Sequence, residues 1–225
     1  MDKKVLVGVP TPGYSRNDHF YDYFNMLEKP VDTAITFARG QSPARNRNLI
    51  IKQALQYDRT HILFLDDDLA FAPDLLIRLM KHDVDMVTAL YLMRNYPHKP
   101  IIFDYADEIG RCGNYYPKDT DSGLIPIVAA GLGACLINTD VFRKLEEPWV
   151  RLGELEKDHW CDDIGFFRRT REAGFQLYCD LDVVAGHMAN VVIWPQKKGG
   201  VWTTIYDTSG EGHVQFSAVR PNGIS

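Results

Sequence analysis

Three consecutive aspartates, Asp66, Asp67 and Asp68, follow directly on the apolar run "HILFL". Adjacent carboxylates repel one another, and a turn or a helix cap needs only one of them. Hard carboxylate oxygens suit Mg2+ or Mn2+, which in turn grips phosphate oxygens. In open α/β sheets, ligands bind beyond the carboxyl ends of the strands, and these residues stand at such an end. The cluster therefore predicts a divalent cation carrying a diphosphate.

Four further stretches bear on that chemistry. In "SPARNRN", Arg45 and Arg47 fall at the start of a helix, where the macrodipole disfavours a cation by about 0.3–1 kcal/mol. Arginines there make sense if the helix start receives an anion, because its free N–H groups also bind phosphate. A solvated basic face is the alternative. In "WCDDIGFF", a helical wheel groups Trp160, Ile164 and Phe167, with Asp163 inside that stripe and Asp162 off it. A carboxylate against apolar surface has its pKa raised by desolvation, which suits a general base. Capping the helix is the competing role for one of the pair. In "AGHM", His187 adds an imidazole to the aspartate set, which favours Mn2+ over Ca2+. In "AAGLGACLI", Gly131 and Gly133 would let a ligand lie flat against the backbone, or would simply turn the chain.

The elements that must position these residues alternate. "KKVLVGVPTP" reads as a strand stopped by Pro10 and Pro12, "HFYDYFNML" as a helix and "VDTAITFA" as a second strand. Ser42 as N-cap and Pro43 at the first helical position open a helix. "HILFL" is apolar on both faces, as the central strand of a parallel sheet would be. A helix at "APDLLIRLM" and a strand at "VDMVTALYLM" follow. Residues 97–122 read as an irregular excursion with a short strand at "IIFDY". "GLGACLINTDVFRKL" predicts a strand passing through a Thr139 cap into a short helix. "CDDIGFFRRTREAG" predicts a helix ended by Gly174, and "FQLYCDLDVV" a last strand before "AGHM". The tail from Ala189 has the composition of a mobile flap. The alternation predicts an α/β sheet, mostly parallel, with helices on both faces.

Composition sets bounds. A chain of 225 residues, 45% hydrophobic, suits one domain with room for a small appendage. A net charge of -5 does not fit a basic DNA-coating protein. Cys112, Cys135, Cys161 and Cys179 form no CxxC pair and read as reduced thiols of a cytoplasmic protein. The opening "MDKKVLVGVP" reads as a strand and not a signal peptide. The longest apolar run, "LIPIVAAGLGACLI", falls short of the about 20 residues that span a bilayer, so no stable membrane insertion is expected. No GxxxxGK[ST], HExxH or GxSxG occurs, and "GLGACL" is no dinucleotide fingerprint.

The order "FLDDD", "GLGACLI", "CDD", "GH" resembles the GT-A glycosyltransferases, especially family 2-like enzymes and small phage or bacterial members. The resemblance spans Val5 to His187 and divides the chain into a catalytic domain, 1–188, and a tail, 189–225, packing on the active site. It implies a metal-dependent transfer from a nucleotide-diphosphate sugar, by family habit a UDP-hexose, to an acceptor hydroxyl. Asp68 would bind Mn2+ or Mg2+, Asp66 would contact the ribose or the metal, and His187 would complete the metal shell. Asp67 lies within the same donor-binding motif. Pro10 and Thr11 would lie against the base, and Arg45 and Asn46 against the nucleotide or its diphosphate. Gly131 to Ala134, through Gly133, would form the loop beside the sugar. Asp162, an aspartate where the family often has glutamate, would read acceptor or sugar, and Asp163 would be the base. Inversion is the expected outcome, although a retaining route uses much the same donor site. The acceptor could be a hydroxylated DNA base, with "RRTR" (Arg168 to Arg171) and "KK" (Lys197 and Lys198) touching phosphates, or a surface glycan. The implied setting is the cytoplasm of a bacterium or a phage-infected cell. A sugar-phosphate nucleotidyltransferase is the alternative, though "PTPGYSRND" lacks its glycine-rich basic loop. A haloacid dehalogenase-type phosphatase would put its aspartate after the first strand, where this chain has "PTP". A non-catalytic nucleotide-sugar binding domain would not need Asp163.

Overall fold

Val5, Val7 and Val9 face one side of a sheet and Leu6 the other, because successive strand residues point to opposite faces. Both sides are buried, so helices must cover both. The computed structural model describes residues 3–12, 19–95, 98–107, 111–152 and 162–189, and the backbone of 192–198, 201–207 and 213–214. The chain runs β1 (Val5–Thr11), α1 (His19–Met26), β2 (Thr33–Arg39), α2 (Pro43–Gln56), β3 (His61–Leu65), β4 (Leu69–Phe71), α3 (Leu75–Met80) and β5 (Met86–Leu90). It continues through β6 (Ile102–Ala106), β7 (Cys112–Asn114), β8 (Leu124–Ile127), β9 (Ala129–Ala130), β10 (Ala134–Asn138), α4 (Thr139–Lys144), α5 (Asp162–Glu172) and β11 (Leu177–His187).

The main sheet has the order β2-β1-β3-β10-β5-β11-β4, with β8 also pairing β11. β2, β1, β3, β5 and β11 run one way, and β10, β4 and β8 run against them. One face packs Ile50 and Ile51 of α2, Phe142 of α4, and Phe166 and Phe167 of α5 against Leu6, Ile62 and Phe64. The other packs Phe20 and Phe24 of α1 and Leu75, Leu76 and Leu79 of α3 against Val7, Leu63 and Leu65. Each such side chain, fully buried, contributes about 1.5–3 kcal/mol of transfer free energy.

Several local expectations change. Pro10 does not stop β1, which continues to Thr11. β1 pairs β3 only as far as Gly8, so Pro10 lies beyond the doubly paired stretch, where its missing donor matters less. Asn138, not Thr139, caps α4, its Oδ1 accepting the Asp140 N–H at 2.9 Å. The buried Thr139 hydroxyl instead donates to the Arg59 carbonyl at 2.8 Å. Gly174 ends α5 as expected, at φ 93°. The described part of the tail is strand. β12 (Val192–Lys198), β13 (Val201–Asp207) and β14 (His213–Val214) form an antiparallel sheet of their own. The side chains of Lys197 and Lys198, together with Trp160 and Cys161, lie outside the described residues. Cys112, Cys135 and Cys179 are free thiols, the last two buried. Among the described residues, no helix is long and apolar enough to cross a membrane.

Candidate active site

Two pairings gather the site at the carboxyl edge of β3. The β3–β10 register sets Leu65 opposite Ala134, and the Asp66 N–H prolongs it by donating to the Gly133 carbonyl at 2.8 Å. The aspartates then lead into β4, which pairs antiparallel with the end of β11, His187 opposite Leu69. The Met188 N–H donates to the Asp68 carbonyl at 2.8 Å. Histidine and aspartates meet because β11, eleven residues long, runs on through "AGH" to His187 and does not end before it.

Arg47, on α2, is the centre of the arrangement. Its guanidinium is buried between two carboxylates. Nη2 donates to Asp66 Oδ1 at 2.9 Å and Oδ2 at 3.2 Å, and Nη1 to Asp163 Oδ1 at 3.1 Å. Asp163 Oδ2 accepts the Leu132 N–H at 3.1 Å. Burial would lower the Arg47 pKa, but Asp163 and Asp66 outweigh it and hold the guanidinium protonated. Burial pushes the Asp66 carboxyl above its ordinary range, only partly offset by Arg47. One guanidinium shared by two carboxylates does not fully compensate Asp66.

Tyr91, just past β5, is also buried. Its hydroxyl oxygen accepts the Gly133 N–H at 2.9 Å. Burial, then Asp66 and Asp163, push its pKa well up, so it stays a neutral phenol. A Cβ on Gly131 would stand 2.2 Å from that oxygen, and one on Gly133 would stand 2.8 Å from it and 2.9 Å from Asp66 Oδ2. The glycines thus make room for Tyr91 and Asp66. The sequence left a flat-lying ligand or a plain turn open, and the space a Cβ would take at each is held by Tyr91, with Asp66 beside Gly133. Gly131→Ala is expected to cost about 1–3 kcal/mol by overpacking in urea unfolding. The double variant Gly131→Ala/Tyr91→Phe should recover part of that loss in a double-mutant cycle. Strict additivity would dismiss the Tyr91 contact as the cause.

Beside the arginine lies a second ion-pair set. Asp68 Oδ2 is 2.8 Å from Arg94 Nη2 and 3.4 Å from His187 Nε2. His187 Nδ1 meets the Leu92 carbonyl at 2.9 Å, which leaves Nε2 for the aspartate side. Burial would lower the His187 pKa, but its contact with Asp68 outweighs burial and raises it. A cavity of about 240 Å³ opens here, lined by Pro10, Thr11, Pro12, Gln41, Pro43, Asn46, Arg47, Asp66, Asp67, Asp68 and Arg94.

No protein-family model and no curated protein sequence matches the chain. Among solved structures, A197 from STIV superposes with a TM-score of 0.59 at 15% identity, over 95% of this chain and 98% of that one. GalNAc-T7, solved with UDP, GalNAc and Mn2+, superposes with a TM-score of 0.53 at 12% identity. That match takes in 83% of this chain and 44% of that one. The chain has the GT-A fold.

Within this GT-A sheet the predicted residues separate into two groups. Pro10, Thr11, Asn46, Asp66, Asp67 and Asp68 line the cavity. Arg45 is exposed and does not line it, because the helix turns it outward and brings Arg47 in. Gly131, Gly133 and Ala134 are buried behind the cavity wall. Asp162 is half-buried at the start of α5. Arg168 pairs with Glu172 at 3.7 Å, Arg169 donates to the Trp149 carbonyl, and Arg171 of "RRTR" is exposed.

Among the described residues no three His, Cys, Asp or Glu side chains gather as a metal cluster. Arg47 holds both Asp66 oxygens, so Asp66 would join Asp68 and His187 on a cation only by sharing them. Asp68 and His187 do fit a cation. They converge on one point, and a guanidinium already occupies the carboxylate. Asp68 and His187 would be the protein ligands, with the rest of the shell left to phosphate oxygens and water.

The GT-A sheet has a larger cavity, about 490 Å³, at the amino end of β3. Its basic side chains are engaged locally: Lys3 Nζ donates to the Met80 and His82 carbonyls, Arg59 pairs with Asp32, and Arg143 with Asp140. It offers no convergent set like that around Arg47. Sequence reasoning missed Arg94 and Tyr91, and it noted Arg47 only beside Arg45. The one available signal for Arg47 was its spacing: it falls on the face of α2 that also carries the buried Ile50, Ile51 and Ala54.

Proposed function

We propose that the protein is a metal-dependent glycosyltransferase that moves a sugar from a nucleotide-diphosphate sugar, of the UDP-hexose class, to an acceptor hydroxyl with inversion. One observation carries the reading. Asp68 with His187, and Asp163 with its arginine, converge from four different elements on one edge of a GT-A sheet beside a cavity. The GalNAc-T7 neighbour, solved with UDP, GalNAc and Mn2+, supports the donor and metal classes.

Asp68 and His187 would hold Mn2+ or Mg2+, which supplies neutralisation of the diphosphate leaving group. Pro10, Thr11 and Asn46 would receive the nucleoside, and Asp66 its ribose. Asp163 accepts the proton of the acceptor hydroxyl. The oxygen so freed bonds to the anomeric carbon as the carbon–oxygen bond to the diphosphate breaks, and the electron pair leaves with the diphosphate. Each Asp163 oxygen already accepts one hydrogen bond, from Arg47 and from Leu132, which fixes the carboxylate while leaving lone pairs to take a proton. The catalytic unit is 1–188, with 189–225 closing on the donor.

The test is release of nucleoside diphosphate from a panel of nucleotide-sugars with Mn2+ and then with chelator. Chelator-sensitive release from one donor is the expected result. Absence of release, together with no shift in melting temperature on adding any donor with Mn2+, would overturn the reading.

A further inference from the structure

Arg94 stands where a cation belongs. Its guanidinium lies 2.8 Å from Asp68 Oδ2, the same oxygen that faces His187 Nε2 at 3.4 Å. The loop that carries it is tied at its base. Leu92 bridges Pro100, and the Met93 N–H donates to the Lys99 carbonyl at 2.8 Å. The carbonyl of Leu92 also holds His187 Nδ1. One loop therefore fixes the imidazole and, two residues on, places an arginine on the carboxylate beside it. The Arg94 side chain is 41% exposed, so it can leave Asp68 without disturbing the core, whereas Arg47 at 6% cannot.

Charge gives this contact a consequence. The cavity lining carries three carboxylates, Asp66, Asp67 and Asp68, against two guanidiniums, Arg47 and Arg94. That balance is negative and repels a diphosphate. Asp163, which shares Arg47, adds a fourth carboxylate, and a divalent cation cancels the excess. The cation must take the Asp68 oxygen that Arg94 holds, and the displaced guanidinium remains on the cavity rim within reach of what the metal brings in. A guanidinium binds phosphate oxygens through paired N–H donors.

We propose that Arg94 competes with the divalent cation for Asp68 and, once displaced, pairs with the diphosphate of the donor. This rests on the metal-dependent transferase reading above. It makes metal entry precede donor binding. It also gives one side chain two effects of opposite sign, which a merely structural residue would not have.

The test uses the full chain, Mn2+ alone followed by free Mn2+ by electron paramagnetic resonance, and then UDP in saturating Mn2+ by calorimetry. Arg94→Met is expected to bind Mn2+ about three- to fivefold more tightly, the loss of a partly exposed ion-pair competitor. The same variant should bind UDP about tenfold more weakly, the loss of a charge-assisted contact. Arg94→Gln should move both in the same directions. Equal or weaker Mn2+ binding by the variants, with wild type binding Mn2+ normally, overturns the competition while leaving the metal reading standing. Unchanged UDP affinity overturns the diphosphate contact. If neither wild type nor Arg94→Met takes up Mn2+ at millimolar concentration, the metal reading falls and the proposal with it.

Discussion

Arg47→Met is expected to lower the unfolding free energy by about 3 kcal/mol at pH 7, read from urea denaturation. Methionine keeps most of the volume, so the loss isolates the charge. It leaves Asp66 and Asp163 facing each other without the cation that bridges them. Removing one partner of a buried ion pair costs about 3–5 kcal/mol, and the low end applies because the two carboxylates retain 30% and 25% exposure. Arg47→Lys should recover little, since one ammonium cannot offer two separated nitrogens to two carboxylates. The deficit should also shrink as pH falls. Burial already raises the Asp66 pKa, and loss of Arg47 raises it further. Between the unfolded and the folded pKa, the folded variant then binds more protons than the unfolded chain, so its stability increases as pH decreases through that window. The variant should therefore be closest to wild type at the acid end of that window. A loss under about 1 kcal/mol at pH 7, the value of a surface pair, would mean that Arg47 does not hold the carboxylates together.

Asp163→Asn should reduce kcat by about 10²- to 10⁴-fold, the range for removing a positioned general base, while UDP-sugar binding in Mn2+ stays near wild type. Asparagine retains one carbonyl oxygen, enough for either Arg47 or the Leu132 N–H but not both, because its amide nitrogen then faces the other donor. A stability loss of about 1–3 kcal/mol is expected alongside, so turnover must be measured well below the variant's melting temperature. Full turnover would remove Asp163 as the base. Loss of turnover with equal loss of donor binding would make it part of the scaffold that Arg47 organises.

The sequence by itself determined the sheet and the edge that matters. Alternating strand and helix signals placed β1, α1, β2, α2 and β3 within a residue or two, because period-2 and period-3.6 hydrophobicity and the Ser42-Pro43 start are local properties. The aspartate run marked the carboxyl end of β3 for the same reason. Only the tertiary structure decided which charges meet. Arg45 and Arg47 are alike in type, and only the spacing of Arg47 to Ile50, Ile51 and Ala54 separates them in sequence. Two residues apart on a helix is about 200° of rotation, so one points to water and the other into the core, and the facing side is set by packing on β1. Gly131 and Gly133 read as space for a ligand because a missing Cβ shows only that something approaches. That it is Tyr91, some 40 residues earlier in sequence, follows from β10 lying antiparallel between β3 and β5. Arg94 sat in a stretch with no periodicity. Its contact with Asp68 depends on a loop closure and on β11 carrying His187 past β4, long-range pairings that no local pattern encodes.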